Sequence, residues 1–121
     1  MIIWSDFPGA PPPGTKLLDS ADLSEGAVRQ ISLGEKPQRF AAVLARVDGD
    51  VRAYVNLCPH FRIPLAVEGR ELTVSPGIIW CAFHSAQFRA RDGHCIDGPA
   101  KGADLTPIPI IEKDGGVFIS S

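Results

Sequence analysis

Four residues with soft donor atoms fall in two short words of the chain, Cys58-Pro59-His60 and Cys81-Ala82-Phe83-His84, with twenty residues between them. Thiolate sulfur and imidazole nitrogen suit zinc or iron and disfavour magnesium and calcium, which take oxygen ligands. Each word directly follows an apolar run of β character. A Cys and a His two or three positions apart in a loop can face one small volume, because a loop does not impose the alternation of a strand. Two such loops set side by side form a Cys2His2 site. Taken singly, a Cys is most often a small buried apolar residue, and a His lies on the surface or in a satisfied hydrogen bond. Two tight pairs after two apolar strands are poorly explained in that way. Structural zinc modules commonly pair C-x2–4-C with H-x3–5-H, so that each half brings two like ligands. Here each half brings one of each, which suits a two-iron cluster with both thiolates on one iron and both imidazoles on the other. A structural zinc site in an interaction module is the alternative.

The elements that must position these loops are short strands. Phe40 to Val47 is an apolar β-rich run, Asp48-Gly49-Asp50 supplies a tight turn, and Val51 to Leu57 returns with apolar residues at every second position, which predicts a hairpin. Further strands are expected at Ala27–Leu33, Glu71–Val74, Ile78–Cys81, Gln87–Ala90 and Ile108–Ile111. A last hairpin is expected to turn at Asp114-Gly115-Gly116 into Val117-Phe118-Ile119. Residues 16–26 combine a short strand with one helical turn, capped by Ser20 or Asp22. Residues 5–14, SDFPGAPPPG, predict an extended arm with polyproline character. The PxxP match in Pro8-Gly9-Ala10-Pro11 is too permissive to argue recognition, and a lead-in packed along the domain accounts for it. Short strands without a sustained 3.6-residue period predict an all-β antiparallel sandwich or barrel.

Composition bounds the rest. The 121 residues suffice for one core, and the 12 Gly and 11 Pro match a turn-rich fold. A net charge of −2 excludes the dense basic surface that nucleic-acid binding needs. The longest apolar runs, Phe40–Ala45 and Ile78–Phe83, are six residues, far short of a membrane span. Three cysteines cannot pair completely, and no export signal is visible at the start, so a cytoplasmic chain in a reducing compartment is expected. Cys95 and His94 follow the turn signal Asp92-Gly93 on adjacent strand positions, which point to opposite faces. They are therefore poor joint chelators, with Cys95 an apolar strand position and His94 a surface residue.

The two ligand words and their surroundings resemble the Rieske [2Fe–2S] proteins, and among them the small soluble Rieske-type ferredoxins. The likeness is carried by NLCPHFRIPL (Asn56 to Leu65) and IIWCAFHSAQFRARDGHCIDGPA (Ile78 to Ala100), followed by Leu105 and Ile108-Pro109-Ile110. It covers roughly residues 40–119. The resemblance implies a single domain of stacked antiparallel sheets: a base of about 15–55 and 101–121, an inserted two-loop cluster-binding subdomain of about 56–100, and a Pro-rich arm at 1–14. It implies one [2Fe–2S] cluster, with Cys58 and Cys81 on the inner iron, His60 and His84 on the outer iron through Nδ1, and Gly98-Pro99 packed alongside. Arg62, Ala82 and Ser85 stand where many members have Gly, Pro and Gly. The spacer is a few residues longer than usual, with Val67 to Glu71 as the place that absorbs it, and neither loop has the additional Cys of high-potential members.

Two ferric ions and two sulfides sum to +2, which two thiolates bring to about zero, so an electron is accepted more easily than by a four-thiolate site. The implied potential lies in the lower half of the band of roughly −150 to +300 mV. The resemblance further implies an electron carrier between a reductase and a terminal oxygenase or similar enzyme, with no small-molecule substrate of its own and no nucleic-acid or membrane partner. A small subunit of a larger oxidoreductase such as a nitrite reductase is the alternative. Neither loop, 58–65 or 81–88, holds an acidic residue. Arg62, Arg89 and Arg91 are expected to make their end of the molecule mildly basic and to meet an acidic patch on the partner.

Overall fold

A computed structural model describes residues 4–7, 9–34, 40–56, 77–80, 87–97 and 104–120. Within them nine strands run in the order β1 (Lys16–Asp19), β2 (Val28–Leu33), β3 (Phe40–Val47), β4 (Asp50–Val55), β5 (Ile78–Trp80), β6 (Gln87–Arg89), β7 (Cys95–Asp97), β8 (Ile110–Lys113) and β9 (Gly116–Ile119). They form three antiparallel sheets of three strands each: sheet A, β1-β9-β8; sheet B, β2-β3-β4; and sheet C, β5-β6-β7. The all-β antiparallel expectation holds. Among the described residues no helix is long and apolar enough to cross a membrane.

Sheet B is the middle layer, and its sequence says why. A strand covered on one face alternates, whereas one covered on both reads as a continuous apolar run. In β3 the inward positions split between two cores. Ala42 and Leu44 pack with Leu17, Ile108, Val117 and Ile119 on the sheet A side, while Val43 and Ala45 pack with Ile79, Phe88 and Cys95 on the sheet C side. β4 repeats the division, with Val51, Ala53 and Val55 facing sheet A and Tyr54 facing sheet C. Phe40, Val43 and Leu44 are 2%, 0% and 0% exposed, so the six-residue run of the sequence is the floor shared by both cores.

Two hairpins set the registers. The β3–β4 hairpin closes on the pair Val47↔Asp50, with Asp48 and Gly49 at φ of 53° and 82°. The β8–β9 hairpin closes on Lys113↔Gly116, with Asp114 and Gly115 at 50° and 75°. Both central residues lie in the left-handed region, which a two-residue turn between right-twisted strands requires and Asp-Gly supplies. The first turn is held further by Glu25, whose two carboxylate oxygens accept the N–H groups of Asp48 and Gly49 at 3.0 and 2.7 Å.

Several expectations need correction. The ladder of the last hairpin starts at Ile110, two residues later than the sequence suggested, because Pro107 and Pro109 have no N–H to give. Ile108 instead donates to Ala53 of sheet B at 2.9 Å, and Tyr54 and Pro107 form an isolated bridge. Residues 16–26 do combine β1 with a 3-10 turn, Ser20–Asp22, yet Asp19 occupies the cap and makes no side-chain cap bond. The N-terminal arm is not polyproline-like at its start: Trp4–Asp6 is a 3-10 turn, and Phe7 and Ala10 donate in succession to Trp4 and Phe7 carbonyls at 3.2 Å. Trp4, Phe7 and Ala10 pack on the sheet A core, with the Trp4 ring edge-on to Phe40 at 6.4 Å. The arm is thus a packed lead-in. The strand expected at Glu71–Val74 lies outside the described residues.

Arg46 ties sheets A and B. Its guanidinium makes paired bonds to Glu112 of β8 at 3.2 and 2.7 Å and donates to the carbonyls of Leu23 and Gly49 at 2.6 and 3.0 Å. The bond from Arg46 holds the Glu112 carboxyl below its usual range. A carboxylate with a lowered pKa contributes stability that is fully present above about pH 4.3 and is lost as pH falls through the lowered value. Glu112 is one-third exposed, so solvent keeps the effect small. Glu112→Gln is expected to lower the thermal midpoint slightly at pH 7, with the gap to the parent closing between about pH 5 and 3. A gap that stays constant over that range would remove Glu112 from the acid response.

Candidate metal centre

Sheet C is the frame of the candidate site. β5 and β6 pair through Ile78↔Arg89, Ile79↔Phe88 and Trp80↔Gln87, so the segment 81–86 leaves and re-enters the sheet at one paired position. β7 adds Gln87↔Asp97 and Phe88↔Cys95, with a bulge between them. Trp80, Gln87 and Asp97 therefore share one end of the sheet, from which 81–86 and 98–103 depart. The opposite end is the turn 90–93.

That opposite end is clamped to sheet B. The Tyr54 hydroxyl donates to the Ala90 carbonyl at 2.6 Å, and Arg52 Nε donates to the Arg91 carbonyl at 3.1 Å. Tyr54 is 2% exposed, and burial pushes its phenol well above the ordinary range, so it remains a neutral donor. Gly93 lies against its ring at a φ of 76°, where a Cβ would come within 2.7 Å of Tyr54 Cε1. Only glycine fits that backbone beside a ring fixed at its hydroxyl. The sequence marked Asp92-Gly93 as a turn but gave no sign of Tyr54, which reads simply as one more β residue; its alternation out of phase with Val51, Ala53 and Val55 was the available signal.

Cys58 and His60 fall in 57–76 and Cys81 and His84 in 81–86, outside the described residues. Gly98-Pro99, Arg62, Ala82 and Ser85 lie outside them too. Among the described residues no group of three or more His, Cys, Asp or Glu side chains gathers as a metal site. The described residues flank both words: Trp80↔Gln87 pair on either side of 81–86, and Asn56 and Gly77 stand before and after 57–76. Asn56 is anchored where β4 ends, its N–H donating to Ala41 at 3.0 Å and its Nδ2 reaching Gln30 at 3.4 Å. Gly77 accepts from Ala90 N–H at 2.8 Å where β5 begins.

Cys95 and His94 behave as their adjacent positions require. Cys95 is 1% exposed in the core between sheets B and C, with its Sγ 3.3 Å from the Asp97 carbonyl. His94 points outward and its Nδ1 lies 2.8 Å from Asp104.

The charge expected at the loop end is corrected. Arg89 pairs with Ile78 at the far end of the hairpin and Arg91 lies in the 90–93 turn, so neither belongs to the end from which 81–86 departs. Both are also compensated, Arg89 by Asp92 at 2.7 Å and Arg91 by Asp48 at 2.6 Å. The bond from Arg89, with that from the His94 N–H, lowers the Asp92 pKa. Charges close in sequence to a loop are carried away from it when a strand runs back.

Comparison with known proteins agrees with this frame. A family model for the Rieske [2Fe–2S] domain matches residues 15–112. Cholesterol 7-desaturase of Drosophila melanogaster is 32% identical over an alignment of 110 positions that covers 85% of this chain and 24% of that protein, so the chain spans about a quarter of that relative's length. A ferredoxin of Sphingomonas yanoikuyae B1 superposes with a TM-score of 0.67 at 25% identity, over 89% of this chain and 98% of that one. A chain in the complex of reduced oxygenase and oxidized ferredoxin in carbazole 1,9a-dioxygenase superposes with the same TM-score at 23% identity, over 87% and 90%.

Proposed function

The chain belongs to the Rieske [2Fe–2S] domain family, and from that membership we propose that it is an electron carrier, the ferredoxin component that passes single electrons from a reductase to an oxygenase. It binds one [2Fe–2S] cluster, which supplies a one-electron couple. The observation that carries the proposal is the superposition on 98% of a ferredoxin at a TM-score of 0.67. The likeness to an oxygenase–ferredoxin complex supports an oxygenase as the acceptor.

Cys58 and Cys81 hold one iron in this proposal, and His60 and His84 the other. The family match decides for a cluster over the zinc alternative. Ile79 and Phe88, both 0% exposed, brace the two strands that flank residues 81–86. Residues 56–100 act as the cluster-binding part, on a base formed by 15–55 and 101–121. The chain works in the cytoplasm and transforms no organic substrate itself.

Purified chain is expected to be brown, with two irons and two labile sulfides, and to show a rhombic EPR signal after reduction. Reductase-driven reduction followed by reoxidation with an oxygenase present establishes the carrier role. A cluster-loaded chain that accepts electrons yet passes none to an added oxygenase would sink that part. The 32% identity to a much longer desaturase favours a second arrangement, in which the domain is the fixed electron-entry unit of a larger oxidoreductase. Obligate co-purification with a large subunit marks that outcome.

A further inference from the structure

Aspartate precedes glycine at Asp48-Gly49, Asp92-Gly93, Asp97-Gly98 and Asp114-Gly115, and the first, second and fourth of these pairs lie wholly within the described residues. An aspartyl side chain followed by glycine can react with its own backbone, because no Cβ on the next residue shields the amide nitrogen. The reaction needs a carboxyl free to turn back, an amide nitrogen free to attack and a peptide unit free to rotate. Two of the three described turns deny these freedoms.

Asp48 gives its carboxylate to Arg91 at 2.6 Å, and the Gly49 N–H donates to Glu25 at 2.7 Å. Asp92 accepts from Arg89 at 2.7 and 3.2 Å and from the His94 N–H at 3.0 Å, while the Gly93 N–H donates to the Arg89 carbonyl at 2.7 Å. Gly93 is also buried against the Tyr54 ring. Asp114 and Gly115 differ at every point. Both are exposed, and among the described residues neither the Asp114 carboxylate nor the Gly115 N–H has a hydrogen-bond or ion-pair partner. Lys113, the neighbouring cation, lies instead over the Phe118 ring, 5.6 Å from its centroid. The Ser20 N–H bonds the Gly115 carbonyl at 2.9 Å, which restrains the following peptide unit and not the one that joins Asp114 to Gly115. The turn also leads out of β8, an edge strand that pairs with β9 alone.

We propose that Asp114 is a site of spontaneous covalent modification, isomerising to isoaspartate through a succinimide while Asp48 and Asp92 are protected by the bonds around them. The Gly115 nitrogen bonds to Asp114 Cγ, the Cγ–OH bond breaks, and the hydroxyl leaves with the amide proton as water. Water then opens the five-membered imide at either carbonyl. Cleavage between Cγ and the nitrogen restores aspartate, whereas cleavage between the nitrogen and the Asp114 main-chain carbonyl leaves the chain running through Cγ. No oxidant or other reactant is needed. In the folded hairpin the Asp114–Gly115 peptide must first swing out of the left-handed turn, which is a local opening. At Asp48 and Asp92 the same opening has to break charge-assisted bonds. The product adds one backbone carbon to a two-residue turn, so the closing pair Lys113↔Gly116 loosens.

The test warms the cluster-loaded full chain at neutral pH under argon for several weeks and maps it by electron-transfer fragmentation, which separates isoaspartate from aspartate. Isoaspartate is expected at residue 114 about tenfold faster than at 48 or 92, the factor set by the extra bonds those turns must break. In denaturant the three positions are expected to convert at similar rates. Glu25→Ala frees the Gly49 N–H, and Arg91→Ala, at a residue mostly exposed to solvent, frees the Asp48 carboxylate. Each variant is expected to speed conversion at Asp48 and to leave the rate at Asp114 unchanged. Equal rates in the folded chain overturn the proposal, as does earlier conversion at Asp48 or Asp92. A difference that persists in denaturant places the cause in the neighbouring sequence and overturns it, and so does a rate at Asp48 that neither variant changes.

Discussion

Cys81→Ser is expected to yield a colourless chain that holds no two-iron cluster and gives no EPR signal after reduction. Two thiolates neutralise the +2 of two ferric ions and two sulfides. Removing one leaves an uncompensated positive centre and offers iron a weakly acidic hydroxyl in place of sulfur. Within 81–86 the remaining donors are His84, already assigned to the other iron, and the hydroxyl of Ser85. The described residues on either side, Trp80 and Gln87, are paired strand positions and bring no further thiol. Cys95→Ser is the control. Cys95 lies 1% exposed in the core between sheets B and C, and its substitution is expected to retain two irons at a loss of about 1 kcal/mol of stability. Iron and sulfide analysis of the pair reads the assignment directly: a cluster kept in Cys81→Ser, or lost in Cys95→Ser, would place the ligands elsewhere.

Phe88→Ala is expected to remove about 3–5 kcal/mol, a large part of the 5–15 kcal/mol by which a domain is stable. Phe88 is 0% exposed, pairs with Ile79 and Cys95 across sheet C and packs on Val43, Ala45 and Tyr54 of sheet B. Its ring is thus part of the contact that seats the ligand-bearing hairpin on the base. Sheet A and the opposite core, with Leu17, Leu44 and Val117, do not touch it. In denaturant, bleaching of the visible band in Phe88→Ala should therefore precede loss of the far-ultraviolet β signal, where the parent loses both together. Coincident loss in the variant would mean that the two cores do not separate, and the division into base and cluster-binding part would fail.

Legibility of the fold followed how local each signal was. Phe40–Val47 was read to the residue, because an apolar run followed by Asp-Gly leaves little choice of strand or turn. Its continuous apolar character is the mark of a strand covered on both faces, but the pattern could not say which elements supply each cover. Ile110–Lys113 was displaced from its expected start by two prolines whose missing N–H groups matter only once the partner strands are known. The family was legible from soft ligands in two paired words, a pattern rare by accident. The charge around them was not: Arg89 and Arg91 are near His84 in sequence, but an antiparallel strand returns them to the far end of the sheet.

The pairing of β1 with β9 has a consequence in time. Lys16, Leu18 and Asp19 take their partners from Phe118, Val117 and Gly116, and Gly14 and Thr15 exchange bonds with Ile119. A chain emerging from a ribosome can form the β2–β3–β4 meander as soon as residue 55 is free, since its contacts are local. Sheet A must wait for almost the whole sequence, and until then Leu17 and the inner face of β3 and β4 lack their cover. Any pause in synthesis between the Asp48 and Asp114 turns therefore holds one apolar layer open, and that interval is when the nascent chain most needs a chaperone.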